Sequence, residues 1–378
     1  MSRSSQHRHE NDGGNHNPGQ HSLEEILSQP DCWDASLLHL CNSRVLEKVR
    51  DQFGAASEWV FVGCGSSYYV ALCAAATMTA WAGVRTRAVP ASEVLLYPDL
   101  VAPASRACVP VLISRSGQTS EVLKAAEFFK ARSIPTVAIS CAEGQALENL
   151  ASFTITLPGA DEKSTVMTRS FTSMLLALQS LAALLGGKSD QSDALGRVPE
   201  IARPALRTLP DRIREFVNHH QFADYVCLGQ GPFYGLACEY ALKVTEMSVS
   251  YAQAFHTLEF RHGPKSIVGP ETLLIFILSE KGYAAEYDVL EEMKALGGTT
   301  MVVTNRADKR ATAAADILFE LSMDGPEFAR LAPSLVPGQL LGLYTGLKKG
   351  LDPDSPRNLS RAVILGDSTP KKPEHAAL

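Results

Sequence analysis

Short runs of β-branched and apolar residues alternate along this chain with longer segments of helical period. Trp59-Val60-Phe61-Val62 predicts a strand ending at Gly63, and an Ala-rich helix follows to about Ala82. Arg85 to Val89 predicts a second strand, Val109 to Ile113 a third, Ser120 to Arg132 a helix and Thr136 to Ser140 a fourth strand. Such alternation predicts a parallel sheet covered by helices on both faces. Upstream, Ser22-Leu23-Glu24-Glu25 reads as a helix N-cap followed by an acidic first turn.

The second half repeats the first. Glu58-Trp59-Val60-Phe61-Val62-Gly63-Cys64-Gly65 matches Asp224-Tyr225-Val226-Cys227-Leu228-Gly229-Gln230-Gly231. Leu112-Ile113-Ser114 matches Phe276-Ile277-Leu278-Ser279, and Thr136-Val137-Ala138-Ile139 matches Thr300-Met301-Val302-Val303. The interval between partners is nearly constant, so the expected fold class is α/β, with two tandem doubly wound parallel-sheet domains. The expected parts are a disordered tail over 1–21, a helix and first lobe over 22–195, a second lobe over 196–350 and a C-terminal tail over 351–378. The joint near 187–205 holds Gly186, Gly187, Pro199 and Pro204 and reads as a linker. The first tail is polar and cannot bury enough apolar surface to order itself. Its His7, His9, His16 and His21 read as solvated residues rather than a metal site.

Composition narrows the function. The net charge of −6 offers no general attraction for nucleic acid or an anionic membrane, so a small anionic substrate needs a local site. The eight cysteines form no C-x-x-C pair, and several sit in apolar runs, which predicts reduced thiols and no metal. Tyr68 to Val84 and Ser170 to Gly187 carry no charge, but their length and hydrophobicity suit buried helices better than membrane spans. With no apolar leader segment at the N-terminus, a cytoplasmic location is expected.

The strand Val109–Ile113 runs directly into Ser114-Arg115-Ser116-Gly117-Gln118-Thr119, just before a helix. Hydroxyls, a glycine and a helix N-terminus at the carboxyl end of a parallel strand make an anion site. The bland alternative is that Ser116 or Thr119 simply caps the helix. Gly63-Cys64-Gly65 and Gly229-Gln230-Gly231 also follow strands, but Tyr68 and Tyr234 break G-x-G-x-x-G and no P-loop occurs. Farther on, Glu239, Lys243 and Glu246 share one helix face at i, i+4 and i+7. That face suits proton transfer between adjacent carbons, and equally a solvated charged surface. His262, in a Gly-Pro turn, reads as a turn histidine on spacing alone.

These residues resemble a known family. Gly63-Cys64-Gly65-Ser66-Ser67-Tyr68 with Ile113–Thr119 resembles the sugar isomerase (SIS) domain, and the tandem arrangement resembles the isomerase half of glucosamine-6-phosphate synthase and its deaminase relatives. Glu239-Tyr240-Ala241-Leu242-Lys243-Val244-Thr245-Glu246-Met247-Ser248 resembles the family helix E-x-A-L-K-x-x-E-[IM]-S. Glu259-Phe260-Arg261-His262-Gly263-Pro264 resembles the turn E-[FL]-x-H-G-P, and Pro356-Arg357-Asn358-Leu359-Ser360-Arg361 the tail P-R-N-L-A-K. The resemblance covers roughly residues 25–367.

It implies that Ser114, Ser116 and Thr119, with Ser67 and Arg115 beside them, hold a sugar phosphate. It implies that Glu246 moves a proton between C1 and C2, that Glu239 and Lys243 support it, and that His262 opens the sugar ring. In the family this histidine reaches across from a second subunit, which implies a homodimer with shared active sites. Cofactor and metal are not implied. Arg115 replaces a glutamine common in the synthase, and Arg361 stands where the family tail has lysine. Arginine stays protonated, so Arg361 is assigned to binding sugar or phosphate. No glutaminase segment with an N-terminal cysteine nucleophile precedes the pair, so a stand-alone amino-sugar-phosphate deaminase/isomerase is expected, with glucosamine 6-phosphate as first substrate. Galactosamine 6-phosphate deamination and fructosamine-6-phosphate cleavage are the alternatives. A sugar-phosphate-sensing regulator would want a basic recognition helix, and the first 50 residues show none.

Overall fold

The computed structural model describes residues 17–102 and 107–365. Helices α1 (Gln20–Leu27), α2 (Gln29–Ser43) and α3 (Val45–Phe53) lead into the first lobe. There β1 (Glu58–Gly63), α4 (Ser66–Ala82), β2 (Arg85–Pro90), α5 (Ala91–Leu96), α6 (Pro98–Val101), β3 (Val109–Ile113), α7 (Ser120–Ala131), β4 (Val137–Ser140), α8 (Ala146–Leu150), β5 (Phe153–Thr156) and α9 (Arg169–Leu185) follow. After α10 (Ser189–His219) come β6 (Asp224–Gly229), α11 (Phe233–Ser248), β7 (Ala252–His256), β8 (Thr272–Ile277), α12 (Tyr283–Ala295), β9 (Thr299–Thr304), α13 (Lys309–Ala314), β10 (Ile317–Glu320) and α14 (Leu331–Lys348).

The first sheet has the order β2-β1-β3-β4-β5 and the second β10-β9-β8-β6-β7, all parallel. Counted from its own first strand, each sheet is 2-1-3-4-5, the flavodoxin-like order. The sequence repeat is therefore a repeat of topology. Hydrogen bonding adjusts its register by one residue: Ser114 N–H donates to Ile139 O and Leu278 N–H to Val303 O, so Leu278 rather than Ser279 answers Ser114. Strands β1, β3 and β8 are buried along their whole length, as expected of parallel strands covered on both faces.

The lobes meet through the helices that follow their first strands. A Cβ on Gly235 of α11 would lie 2.5 Å from Cys73 Sγ and 3.0 Å from Cys73 N of α4. Only a residue without a side chain lets these helices cross so closely. The uncharged segments read as buried helices are α4 and α9, and no helix among the described residues is long and apolar enough to cross a membrane.

Two expectations need correction. The joint over 187–205 is no loop but the start of the 31-residue α10, which also runs through the 195/196 boundary. Its buried Leu195, Val198, Ala202, Leu206, Leu209, Ile213 and Phe216 recur at helical spacing, and burial of that stripe outweighs the helix-breaking tendency of Pro199, Pro204 and Pro210. Second, Ser22 is not an N-cap. The helix α1 begins at Gln20, inside the segment read as a disordered tail, and Ser22 is buried within it. Its free N–H groups find distant partners: Gly19 N–H donates to Asp352, and His21 and Ser22 N–H donate to Asp354, at 2.6–3.0 Å. The rest of that tail, 1–16, and the end of the C-terminal segment, 366–378, lie outside the described residues.

Candidate active site

Strands β1 and β3 pair with Val62 opposite Leu112, so the turns after both open side by side at the carboxyl edge of the first sheet. After β3 the chain turns through Ser114–Thr119. Gly117 has φ 63°, and a Cβ there would fall 2.7 Å from Gln145 Cβ, so the turn requires glycine. The Ser114 and Thr119 hydroxyls lie 3.2 Å apart, and Ser116 Oγ accepts the Gln118 N–H. No side chain caps α7, so the capping alternative does not hold. Ser116 and Gln118 line a cavity of about 470 Å³ together with Gln145, Asp161, Arg361 and Ile364.

Arg115 departs from expectation. It neither lines this cavity nor faces solvent; it is buried beneath the loop. Its Nη1 donates to Glu162 Oε2 and Val166 O, and its Nη2 to Thr165 O and Arg361 O, at 2.8–3.2 Å. Both terminal nitrogens of the guanidinium are thus engaged by protein oxygens, while its buried Nε has no hydrogen-bond partner among the described residues. Arg361 does reach the cavity. Its Nη1 donates to Glu162 O, and its Nη2 pairs with Asp161.

A second group of polar residues gathers where the lobes cross. The first turn of α4 presents Ser66, whose hydroxyl donates to Glu239 Oε1 of α11 at 3.0 Å. Lys243 Nζ lies 3.3 Å from the same carboxylate oxygen and 2.5 Å from Glu246 Oε2. The Glu239 and Lys243 side chains are wholly buried, while Glu246 keeps 19% of its side chain exposed. The reading of this face as solvated is thereby excluded. Burial raises the Glu239 carboxyl to about 8, against the pull of Lys243, and its Oε2 has no hydrogen-bond partner among the described residues. Lys243 is raised: the two carboxylates together outweigh its burial. Ser67, next to Ser66, is buried, its hydroxyl 3.9 Å from Met167 Sδ.

His262 stands apart. It closes the turn Glu259–Arg261 and is exposed, and no hydrogen bond joins it to Glu246 or to the loop among the described residues. Its neighbours are clamped: Arg261 Nε and Lys265 Nζ each lie 2.6 Å from the Glu292 carboxylate of α12, and these two partners hold that carboxyl below its ordinary range.

The structure adds Ser66, Asp161 and Glu162 to the site residues. Ser66 was legible as part of the Gly-rich turn after β1; the two acids lie in an irregular segment without a motif. In the second lobe, the turn after β8 holds the place the loop occupies after β3. There Ser279 N–H and Oγ donate to Glu286 at 2.7 and 2.9 Å, a carboxyl that burial raises to about 7.

The chain is similar to known proteins over most of its length. The SIS domain model matches residues 55–184 and 225–337. Glutamine–fructose-6-phosphate aminotransferase (isomerizing) of Pyrobaculum aerophilum is 28% identical over 353 residues, covering 91% of this chain and 57% of the relative. That of Bacteroides thetaiotaomicron is 28% identical over 368 residues, covering 91% and 58%. The chain thus spans little more than half the length of these relatives. Among solved structures, glucosamine-6-phosphate deaminase of Thermotoga maritima superimposes with a TM-score of 0.74 at 28% identity, over 92% of this chain and 100% of that one. Tagatose-6-phosphate ketose/aldose isomerase of Escherichia coli shares the fold, with a TM-score of 0.82 at 23% identity over 92% and 99%. With both of its lobes matched and both sheets in the same order, the chain belongs to the SIS domain family.

Proposed function

We propose that this chain is an amino-sugar-phosphate deaminase/isomerase, acting first on glucosamine 6-phosphate. The observation that carries the reading is the placement of a partly exposed carboxylate, Glu246, on a buried lysine, beside the serine turn that neighbours the anion loop. In the open-chain 2-amino aldose, Glu246 takes the C2 proton and returns it to C1. The product carries a hydroxymethyl group at C1 and an imine at C2. Water adds to the imine, releasing ammonia and leaving the ketose 6-phosphate. One base serving both carbons needs a fixed orientation, which the Lys243 contact supplies.

Ser114, Ser116 and Thr119 hold the phosphate at the N-terminus of α7, with Arg361 adding charge across the cavity. In this reading His262 assists ring opening at the site of a second copy, and the working unit is a cytoplasmic homodimer. The exposed, clamped position of His262 supports that role.

The test is ammonia release from glucosamine 6-phosphate and galactosamine 6-phosphate, and lysine release from fructoselysine 6-phosphate, by the purified chain in parallel. Release from glucosamine 6-phosphate supports the reading. Release only from one of the others moves the substrate to that compound, and release from none overturns it.

A further inference from the structure

We propose that Arg115 is a positioning residue that ties the anion loop to the C-terminal tail, so that filling the loop and seating Arg361 over its cavity are coupled events. The proposal rests on the reading that the loop holds an anion.

The connections form a closed circuit. Arg115 leaves the loop and donates to the backbone oxygens of Thr165, Val166 and Arg361 and to the Glu162 carboxylate. That carboxylate is fixed in turn by Thr168 and Ser170, each through its N–H and its hydroxyl. Arg361 completes the circuit by donating from its own guanidinium to Glu162 O and Asp161. Just beyond, Ser120 N–H donates to Val363 O, and Leu365 N–H donates to Ser120 Oγ. Ser120 is the first residue of α7, so the tail grips the same helix end that the loop leads into.

A buried ion pair is weak evidence of stabilisation, because desolvating both charges offsets much of their attraction. The Arg115–Glu162 pair, with both side chains nearly or fully buried, is better explained by what it arranges. Only a planar fork of several donors reaches a carboxylate and three backbone oxygens from different segments at once. Lysine, a single ammonium on a flexible stem, does not substitute. The tail backbone at Arg361 therefore takes its position from the loop, and the loop from the tail.

Coupling of this kind is reciprocal, so it is measurable from either side. The probes are inorganic phosphate and glucosamine 6-phosphate on the full chain, on Arg115→Gln, on Arg115→Lys, on a chain ending at Pro356, and on the truncation combined with Arg115→Gln. Arg115→Gln, Arg115→Lys and the truncation should each weaken phosphate binding by about tenfold, and the combination by no more than either alone. Hydrogen exchange of residues 357–365 should slow on adding phosphate to the full chain and stay fast in Arg115→Gln. Multiplicative losses in the double variant, or tail protection by phosphate in Arg115→Gln, would overturn the proposal. If Arg115→Gln does not fold, the full chain and the truncation decide: a tail indifferent to phosphate, with unchanged affinity after truncation, also overturns it. If phosphate binds none of the chains, the anion-site reading fails. The tie itself is then judged by whether Arg115→Gln speeds exchange of the unliganded tail, as it should, or leaves it unchanged.

Discussion

Lys243 and Glu246 form a 2.5 Å ion pair in which the lysine is wholly buried and the carboxylate opens to solvent. The cation cannot approach a substrate except through its partner, so the pair has one working face. Glu246→Gln keeps the shape and removes the base. It should lower solvent-deuterium exchange at C1 and C2 of the sugar by about 10²–10⁴-fold, with phosphate affinity unchanged. Undiminished exchange removes Glu246 from its role.

Glu239 makes the site sensitive to pH through stability. A carboxyl raised to about 8 holds its proton more tightly folded than unfolded. Its contribution to stability is full below about pH 4.5 and is lost as pH rises toward 8. Urea denaturation from pH 5 to 8 should show stability falling across this range. Glu239→Gln should flatten that fall, although Glu286, raised to about 7, keeps a share of it. An unchanged slope in the variant contradicts the assignment.

Gly117→Ala places a methyl group against Gln145 in a left-handed turn. Strain of this kind costs about 1–3 kcal/mol, and the hydroxyls of the loop lose their arrangement. The expected result is a lower melting temperature and a KM for sugar phosphate raised more than kcat is lowered. A loss confined to kcat argues against a binding loop.

Glu292→Ala releases Arg261 and Lys265 on either side of His262. Exposed pairs of this type contribute at most about 1 kcal/mol, so the fold should hold. Turnover of the cyclic sugar should fall, while phosphate affinity stays the same. Equal activity in the variant separates the clamp from catalysis.

Much of this was legible in the chain. The strands around Trp59 and Val109, the repeat and the Ser114–Thr119 loop carry local signals: β-branched runs, a recurrent interval, and hydroxyls before a helix. What stayed hidden depends on distant partners. Ser22 looked like a cap because the carboxylates that satisfy α1 lie more than 300 residues away, at Asp352 and Asp354. Pro199 and Pro204 looked like breaks because the stripe that makes α10 a helix shows only against the lobe it covers. Arg115 looked like a phosphate ligand because its neighbours in sequence are the loop, whereas its partners Glu162 and Arg361 arrive from elsewhere.

The turn after β8 carries a consequence for how a doubled chain divides its labour. Both lobes share the same strand order and a serine turn at the same place in it, but the second lobe answers its own donors with Glu286 from the adjoining helix. Its cradle is filled by a side chain of its own lobe. The same half contributes the helix bearing Glu239, Lys243 and Glu246, so that in the proposed function the two unequal halves supply different parts of a single centre.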